Sequence, residues 1–416
     1  MGAGVTQGTE IAVIGAGVIG LAIAHRLATE GQEVVLIDPA APGSGASFGN
    51  AGTIADYAVQ PVGTPDVLRA LPSLLFDRNS PLSIRRAALP SLAPWLLRFA
   101  RQSLPGAARR NAQAIAGLMA GALPGWEALA SEVGGEALMQ RRGCFYLYET
   151  QAGFDAAQRD LAFRRGLGVS VEMLSRDEVA TMEPGLPEMP GGGAYFPKAV
   201  FFVDPGRMVG LLAQAAFAAG AGQIAARVDR LVRFSGGVRL TGPGLDLTAR
   251  RVVIAAGAHS KELARQAGDR VPLDTERGYH VEWDMDAPRL TRPCCPTSRG
   301  FYMCPMTGRL RVAGTVELGG LAAPASRHRI EKLIEGARAF FPDLGPPDRD
   351  WMGFRPSLPD SLPVIGPSRG GAEVIHAFGH GHVGLTLAPV TAGLVADLMA
   401  GRAPGVEIEP CLPTRF

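Results

Sequence analysis

The chain has 416 residues, 47% of them hydrophobic and 19% charged, with a formal net charge of +2. That balance predicts a large buried core in two domains sharing a site; it excludes wholesale disorder and an electrostatic nucleic-acid binder. Five cysteines at irregular spacing (Cys144, Cys294, Cys295, Cys304, Cys411) form neither a disulfide framework nor a CxxC pair, which fits a reducing compartment. The first ten residues lack a basic-then-apolar leader, and no uncharged apolar run reaches the ~18–20 residues that span a bilayer. A cytoplasmic protein is therefore expected.

The first predicted unit is IAVIGAGVIGLAIAHRLATEGQEVVLID, residues 11–38. A continuous apolar run, Ile11 to Ile14, reads as a strand buried on both faces. Gly15, Gly17 and Gly20 then give G-x-G-x-x-G at a strand-to-helix turn, with Val18 and Ile19 opening the helix. Val18, Leu21, Ala22 and Leu27 supply its buried stripe, and Gly31 ends it. The first glycine allows a tight turn, the second a close approach of backbone to a pyrophosphate, and the third packing of helix on strand. A second strand ends at Asp38, where a carboxylate accepts from adenosine ribose hydroxyls. The full strand–helix–strand–acid pattern predicts a dinucleotide site with phosphates on the helix N-terminus.

GSGASFGNAGTIA, residues 43–55, follows as a polar Gly/Ser-rich loop with no second β-α unit behind it. Such a loop suits a long enclosed ligand and favours FAD over a dissociable nicotinamide cofactor. Helical segments punctuated by Pro and Arg come next. Among them, SLAPWLLRFARQSL (residues 91–104) reads as an internal helix with charged ends; an interfacial membrane helix is its second reading. CFYLYET is a short strand, FVDPGRMVGLLAQAAFAAGA a turn and helix, and RRVVIAAGAHS a buried strand ending in small residues. RVPLDTERGYHVEW, RGFYMCP and RLRVAGTVEL read as strands of a more antiparallel sheet, followed by a helix over residues 327–340. The last helix, in PVTAGLVADLMAG, stops at Gly401.

HAFGHGHVGLTLAP, residues 376–389, holds His380 and His382. An H-x-H pair with no Cys, Asp or Glu nearby leaves a metal site incomplete, and no metal is expected. The glycines Gly379, Gly381 and Gly384 suggest backbone against a flat ligand, with the following helix aiming its positive end there. Asp360, beside two prolines, reads as an Asx-turn residue, and Arg277 as a solvated or structural charge.

Five stretches together resemble the D-amino-acid-oxidase-like flavoprotein family, with bacterial D-amino-acid dehydrogenases and glycine- or D-hydroxyproline-acting relatives nearest in pattern. They are GAGVIG, the NAG loop (Asn50, Ala51, Gly52), VVIAAGAHS, GFRPSLPDSLPVIG and GHGHVGLTLAP. The resemblance implies an α/β, α+β overall, fold: a discontinuous Rossmann-like FAD domain (residues 8–60, 200–268 and 350–412) with an inserted antiparallel-sheet substrate domain (61–199 and 269–349). It implies non-covalent FAD held by Gly15, Gly17, Val18, Ile19, Gly20, Asp38, Ser47, Asn50, Ala51, Gly52, Val228, Ala256, Gly257, Gly353, Gly381, His382, Val383, Gly384, Leu385 and Thr386.

For the substrate it implies Arg355, whose fork of donors suits an α-carboxylate, and Tyr302 against the same group, a core tyrosine being the alternative. His382 is expected to face the active site and His380 to be structural. Of the neighbours Tyr279 and His280, which a strand points to opposite faces, Tyr279 is expected in the pocket. The implied reaction is hydride transfer from the Cα–H of a D-amino acid to flavin N5, giving an imino acid and then a 2-oxo acid. The ERGYH segment resembles D-hydroxyproline-type members, so a cyclic amine is included. Electrons then pass to a quinone or another acceptor, with peripheral contact at the inner membrane face as the setting; a nicotinamide dehydrogenase, an oxygen-using amine oxidase and a flavin-binding subunit are the alternatives.

Overall fold

The computed structural model describes residues 7–69, 80 and 82–416. Two large sheets organise it. In the first, strand Gln7–Ile14 lies between Val34–Ile37 and Leu245–Ile254, both parallel to it, and Gly222–Ile224 extends the edge beyond Val34–Ile37. Leu245–Ile254 is long enough for two partners: the hairpin Arg230–Phe234/Gly237–Gly242 pairs with its first half, and Gly371–Phe378 runs parallel to its end. The run of apolar side chains in the central strands is buried on both faces, as a parallel sheet requires.

Helices Val18–Thr29, Pro205–Ala218 and Gly384–Ala400 cover one face of this sheet and build the largest core. Val18, Leu21, Ala22 and Leu27 are buried as predicted, and so is most of the rest of their helix. Each such Leu or Ile contributes roughly 1.5–3 kcal/mol. Gly401 ends the last helix in the left-handed region, at φ 68°.

The second sheet has the order Arg349–Ser357, Asp274–Asp284, Arg309–Leu318, Phe301–Met306, Cys294–Pro296, Cys144–Leu147, Gly193–Phe196, Glu172–Leu174. Its pairings are mostly antiparallel, and helix Arg327–Phe340 packs on one face. The other face looks towards the first sheet's glycine loops. One expected boundary moves: the segment begun at residue 350 starts inside strand Arg349–Ser357, which belongs to this second sheet. The strand is paired with Asp274–Asp284, so Arg355 is carried by the second sheet.

Candidate active site

The dinucleotide end is built from backbone. A Cβ on Gly15, which sits at φ 109°, would lie 2.4 Å from the Ala255 carbonyl oxygen, and one on Gly20 would lie 1.8 Å from the Gly15 oxygen. Both positions therefore need glycine for packing. Gly17 differs: its Cβ would meet only the Ser47 hydroxyl, at 3.4 Å, which leaves the turn open to a ligand. The Val18 amide donates to Ser47 Oγ at 2.9 Å, and the Ala16 and Ala40 amides donate to the two oxygens of Asp38 at 2.8 and 2.9 Å. A carboxylate has about four acceptor positions, so Asp38 keeps capacity for hydroxyl donors. Amides of Ile19 and Gly20 in the first helical turn have no carbonyl of their own helix to reach, and no acidic side chain occupies that turn. These donors fit a diphosphate.

The Asn50 loop is folded on itself and then clamped. Asn50 Nδ2 donates to the Ser47 carbonyl, and its Oδ1 receives the Gly52 amide at 2.7 Å, an Asx turn. Ala51 lies between them. Buried Arg311 donates to the carbonyls of Asn50 (2.6 Å) and Phe48 (3.3 Å), and is itself paired with Glu282 at 2.8 Å. Burial pushes the Glu282 carboxyl up, but the charge and hydrogen bond of Arg311 outweigh it and hold the group at about 2. The sequence reading missed this clamp; its only trace was that Arg309 and Arg311 share one face of a strand.

Ala256 lies directly beside Gly15, at the end of the central strand, and Gly257 begins the turn that follows. Val228 is half-buried on the segment after Gly222–Ile224, whose Ile224 carbonyl accepts the Asp38 amide. Gly353 and Gly49 both lie under the Trp351 ring, which stacks on His280 at 5.1 Å. The Gly381 amide donates to the Pro356 carbonyl at 2.8 Å, bringing the two most specific motifs of the chain together. Val383 is buried, the Leu385 carbonyl accepts from Trp126 Nε1, and Thr386 Oγ1 receives the Ala55 amide at 3.0 Å. Gly384 starts the closing helix, with no acidic residue in its first turn.

On the substrate side, Arg355 is held by one backbone acceptor, the Thr315 carbonyl at 2.9 Å. Thr315 has φ 59°, next to a register shift between Arg277 and Tyr279, and this irregularity turns its carbonyl to the guanidinium. Gly278 makes the seat: a Cβ there would stand 2.3 Å from Nη2 of Arg355. Burial draws the Arg355 pKa down while the nearby Glu276 raises it, and burial pushes Glu276 up. Its remaining donors match a carboxylate.

Tyr302 stands half-buried on the same sheet face, its hydroxyl 3.3 Å from that of Tyr146 and 3.4 Å from that of Tyr57. His382 is exposed, beside the buried Val383. Desolvation by its neighbours, then the charges of Arg355 and Arg164, draw its imidazole below the usual range. His380 is buried, 2.9 Å from Thr391 Oγ1, and burial holds it at about 3: it is structural.

Tyr279 is a correction. It was expected in the pocket, but its hydroxyl donates to Glu317 at 2.8 Å and its ring joins the core under helix Arg327–Phe340. His280 takes the other face, with Nδ1 3.0 Å from the Gly49 carbonyl. Alternation says that two neighbours diverge but not which face meets the helix. Arg277 is fully buried on Glu317 and the Pro324 carbonyl, so it is structural rather than solvated. Asp360 accepts the Leu362 amide, the turn role expected of it, and pairs with Arg415. Tyr57, Tyr146 and Arg164 went unnoticed, for lack of any local pattern around them.

Comparison with known proteins gives a consistent assignment. The model of the family described as DAO, FAD dependent oxidoreductase, matches residues 10–398. A D-amino-acid oxidase of Bradyrhizobium diazoefficiens is 36% identical over 99% of both chains. D-amino acid dehydrogenase 2 of Ralstonia nicotianae is 32% identical, covering 96% of this chain and 99% of its own. The crystal structure of glycine oxidase from Geobacillus kaustophilus superposes with a TM-score of 0.78 at 27% identity, over 99% of this chain and 100% of the other.

Proposed function

Because this chain belongs to the FAD dependent oxidoreductase (DAO) family, an oxidoreductase family that acts on amino acids with FAD, we propose that it oxidises a D-amino acid at Cα. The observation that carries this reading is Arg355: a guanidinium seated on Gly278, fixed by one carbonyl, with donors left for a carboxylate. When bound, FAD supplies the two-electron acceptor for the Cα–H hydride. Gly17, Ile19, Gly20 and the Asn50 loop hold the cofactor, Asp38 its ribose, and the first turn at Gly384–Thr386 offers partial positive charge. Arg355, with Tyr302, orients the α-carboxylate so that Cα–H and amine are fixed. His382, whose imidazole is drawn below the usual range, is neutral; the amine gives its proton to solvent and reacts in the neutral form. The imino acid then takes up water and gives a 2-oxo acid and ammonia; a cyclic imine opens instead to one chain that carries both the 2-oxo acid and the freed amine.

The test is anaerobic reduction of the purified protein by D-amino acids, including D-proline and D-hydroxyproline, with glycine and sarcosine as a second arm. Loss of flavin absorbance with D-amino acids is expected. Arg355→Ala should raise KM by at least about 100-fold, since a charge-assisted bidentate pair contributes on the order of 3 kcal/mol, with FAD still bound. An unchanged KM removes Arg355 from the site. The glycine oxidase likeness favours the second arm, and reduction by glycine alone would select that reading. For the acceptor, we read the exposed Leu and Arg stripe of helix Leu89–Gln102 as a seat on an anionic membrane surface, which would bring the protein to a quinone.

A further inference from the structure

A second guanidinium bears on the same interior. Arg164, on helix Gln151–Gly166, is buried, with Nε on Asp160 at 2.8 Å and Nη1 donating to the Tyr57 carbonyl at 2.8 Å. Its Cζ lies 5.8 Å from the centre of the Tyr146 ring. Asp160 is steadied in turn by Gln60. The guanidinium is thus fixed from behind, and its Nη2 has no acceptor among the described residues. Its charge reaches His382, as does that of Arg355. Tyr57 lies two residues from Ala55, whose amide is bonded to Thr386 in the first turn of the closing helix. Tyr302, on the sheet face that also carries Arg355, joins this group through the Tyr146 hydroxyl.

The tyrosine row ends on a weak acceptor. Tyr57, Tyr302 and Tyr146 make two oxygen–oxygen contacts, 3.4 and 3.3 Å, but own three hydroxyl protons. Oriented towards Cys144, the last proton meets the Sγ of Cys144 at 3.2 Å, a weak acceptor. Oriented the other way, the proton of Tyr146 has no acceptor among the described residues. Burial pushes Tyr146 up to about 12 and the other two well above the usual phenol range, so all three protons stay at neutral pH. A ligand oxygen beside Tyr146 and Arg164 gives that proton a strong acceptor in place of a thiol; a methyl group does not.

We propose that Arg164 and Tyr146 form a side-chain subsite, and that the amino acid oxidised here carries an oxygen acceptor on its side chain (a hydroxyl, amide carbonyl or carboxylate) which they receive. This rests on the amino-acid reading above. An apolar side chain strands buried donors, and a site built to hydrogen-bond rejects such an analogue strongly.

The experiment is kcat/KM for shape-matched pairs on the holoenzyme: D-asparagine against D-leucine, D-threonine against D-valine, 4-hydroxy-D-proline against D-proline. One or more pairs should favour the oxygen-bearing member by at least about 30-fold, well within what a hydrogen-bonding site achieves. That ratio should fall by at least about tenfold in both Tyr146→Phe and Arg164→Met. Tyr146→Phe removes a single oxygen and keeps the test available if the Arg164 variant folds poorly. Ratios within about threefold of unity, or a ratio that neither variant moves, overturn the subsite while leaving amino-acid oxidation standing. If no amino acid reduces the flavin, both readings fall.

Discussion

A Cβ built on Gly278 would lie 2.3 Å from Nη2 of Arg355 and 2.4 Å from its Cζ. Those atoms are the far end of a flexible side chain, so an added methyl displaces them rather than breaking the sheet. Gly278→Ala should therefore cost less than about 1 kcal/mol of stability, in the range of a tolerated substitution. Its effect belongs to binding: KM for the amino acid should rise by roughly tenfold or more, because a small misplacement at an orienting group is expensive. Urea unfolding beside steady-state kinetics separates the two; a KM that stays put would show that Arg355 works from elsewhere. In the sequence, Gly278 was one letter in ERGYH. Arg355 could be singled out because a family motif surrounds it, but nothing local announces a glycine whose partner is 77 positions away.

The Asn50 loop shows what an element can and cannot reveal. Its polar, Gly-rich composition announced a ligand loop, and Ser47 and Asn50 do shape it. What fixes it is the Arg311–Glu282 pair from the second sheet. Glu282 sits at about 2, below its ordinary 4.5, so its contribution is fully present above 4.5 and is lost as pH falls towards 2. Burial also pulls Arg311 down, so the pair's net gain is smaller than the Glu282 shift alone implies. We expect the stability difference between pH 7 and pH 3 to shrink by about 1–2 kcal/mol in Glu282→Gln, measured by urea denaturation at both pH values. An undiminished difference would mean that other carboxylates govern the acid limb. The same element scale explains Tyr279. Period-two alternation was legible, but the choice of face was made by helix Arg327–Phe340, which lies beyond the reach of any strand pattern.

Across the whole molecule, charge is unevenly placed. Residues 82–126 contain no acidic side chain, and Arg86, Arg98, Arg101, Arg109 and Arg110 are exposed there. Trp95 and Phe99 of helix Leu89–Gln102 turn inward and stack at 5.2 Å, while Leu97 is 73% and Leu104 49% exposed. The inward face fits the internal-helix reading of this segment. No described helix is long and apolar enough to cross a membrane. Each arginine near an anionic leaflet is worth about 1 kcal/mol, so binding should be salt-sensitive. The protein should pellet with phosphatidylglycerol-containing vesicles at low salt. It should be released at about 0.5 M KCl, where the screening length is only a few ångströms, and Leu97→Asp should abolish pelleting. Equal recovery with and without vesicles, or self-association of the free protein through this face, would dismiss the membrane seat.

The amino-acid sequence by itself determined the nucleotide end: the glycine turn, its helix and Asp38 are contiguous, and local backbone geometry dictates which residues such a turn accepts. It also marked the later strands, but those of the antiparallel sheet are buried almost throughout, with no two-residue alternation, and the two-sheet arrangement came from the family resemblance. The tertiary structure alone decided who surrounds the substrate. Arg355 on Gly278, Arg164 behind Tyr146, and Arg311 on the Asn50 carbonyls join residues 77, 18 and 261 positions apart. Such contacts arise where curved sheets and helices meet, and a carboxyl or guanidinium carries no mark in the chain of which neighbour folding will bring to it.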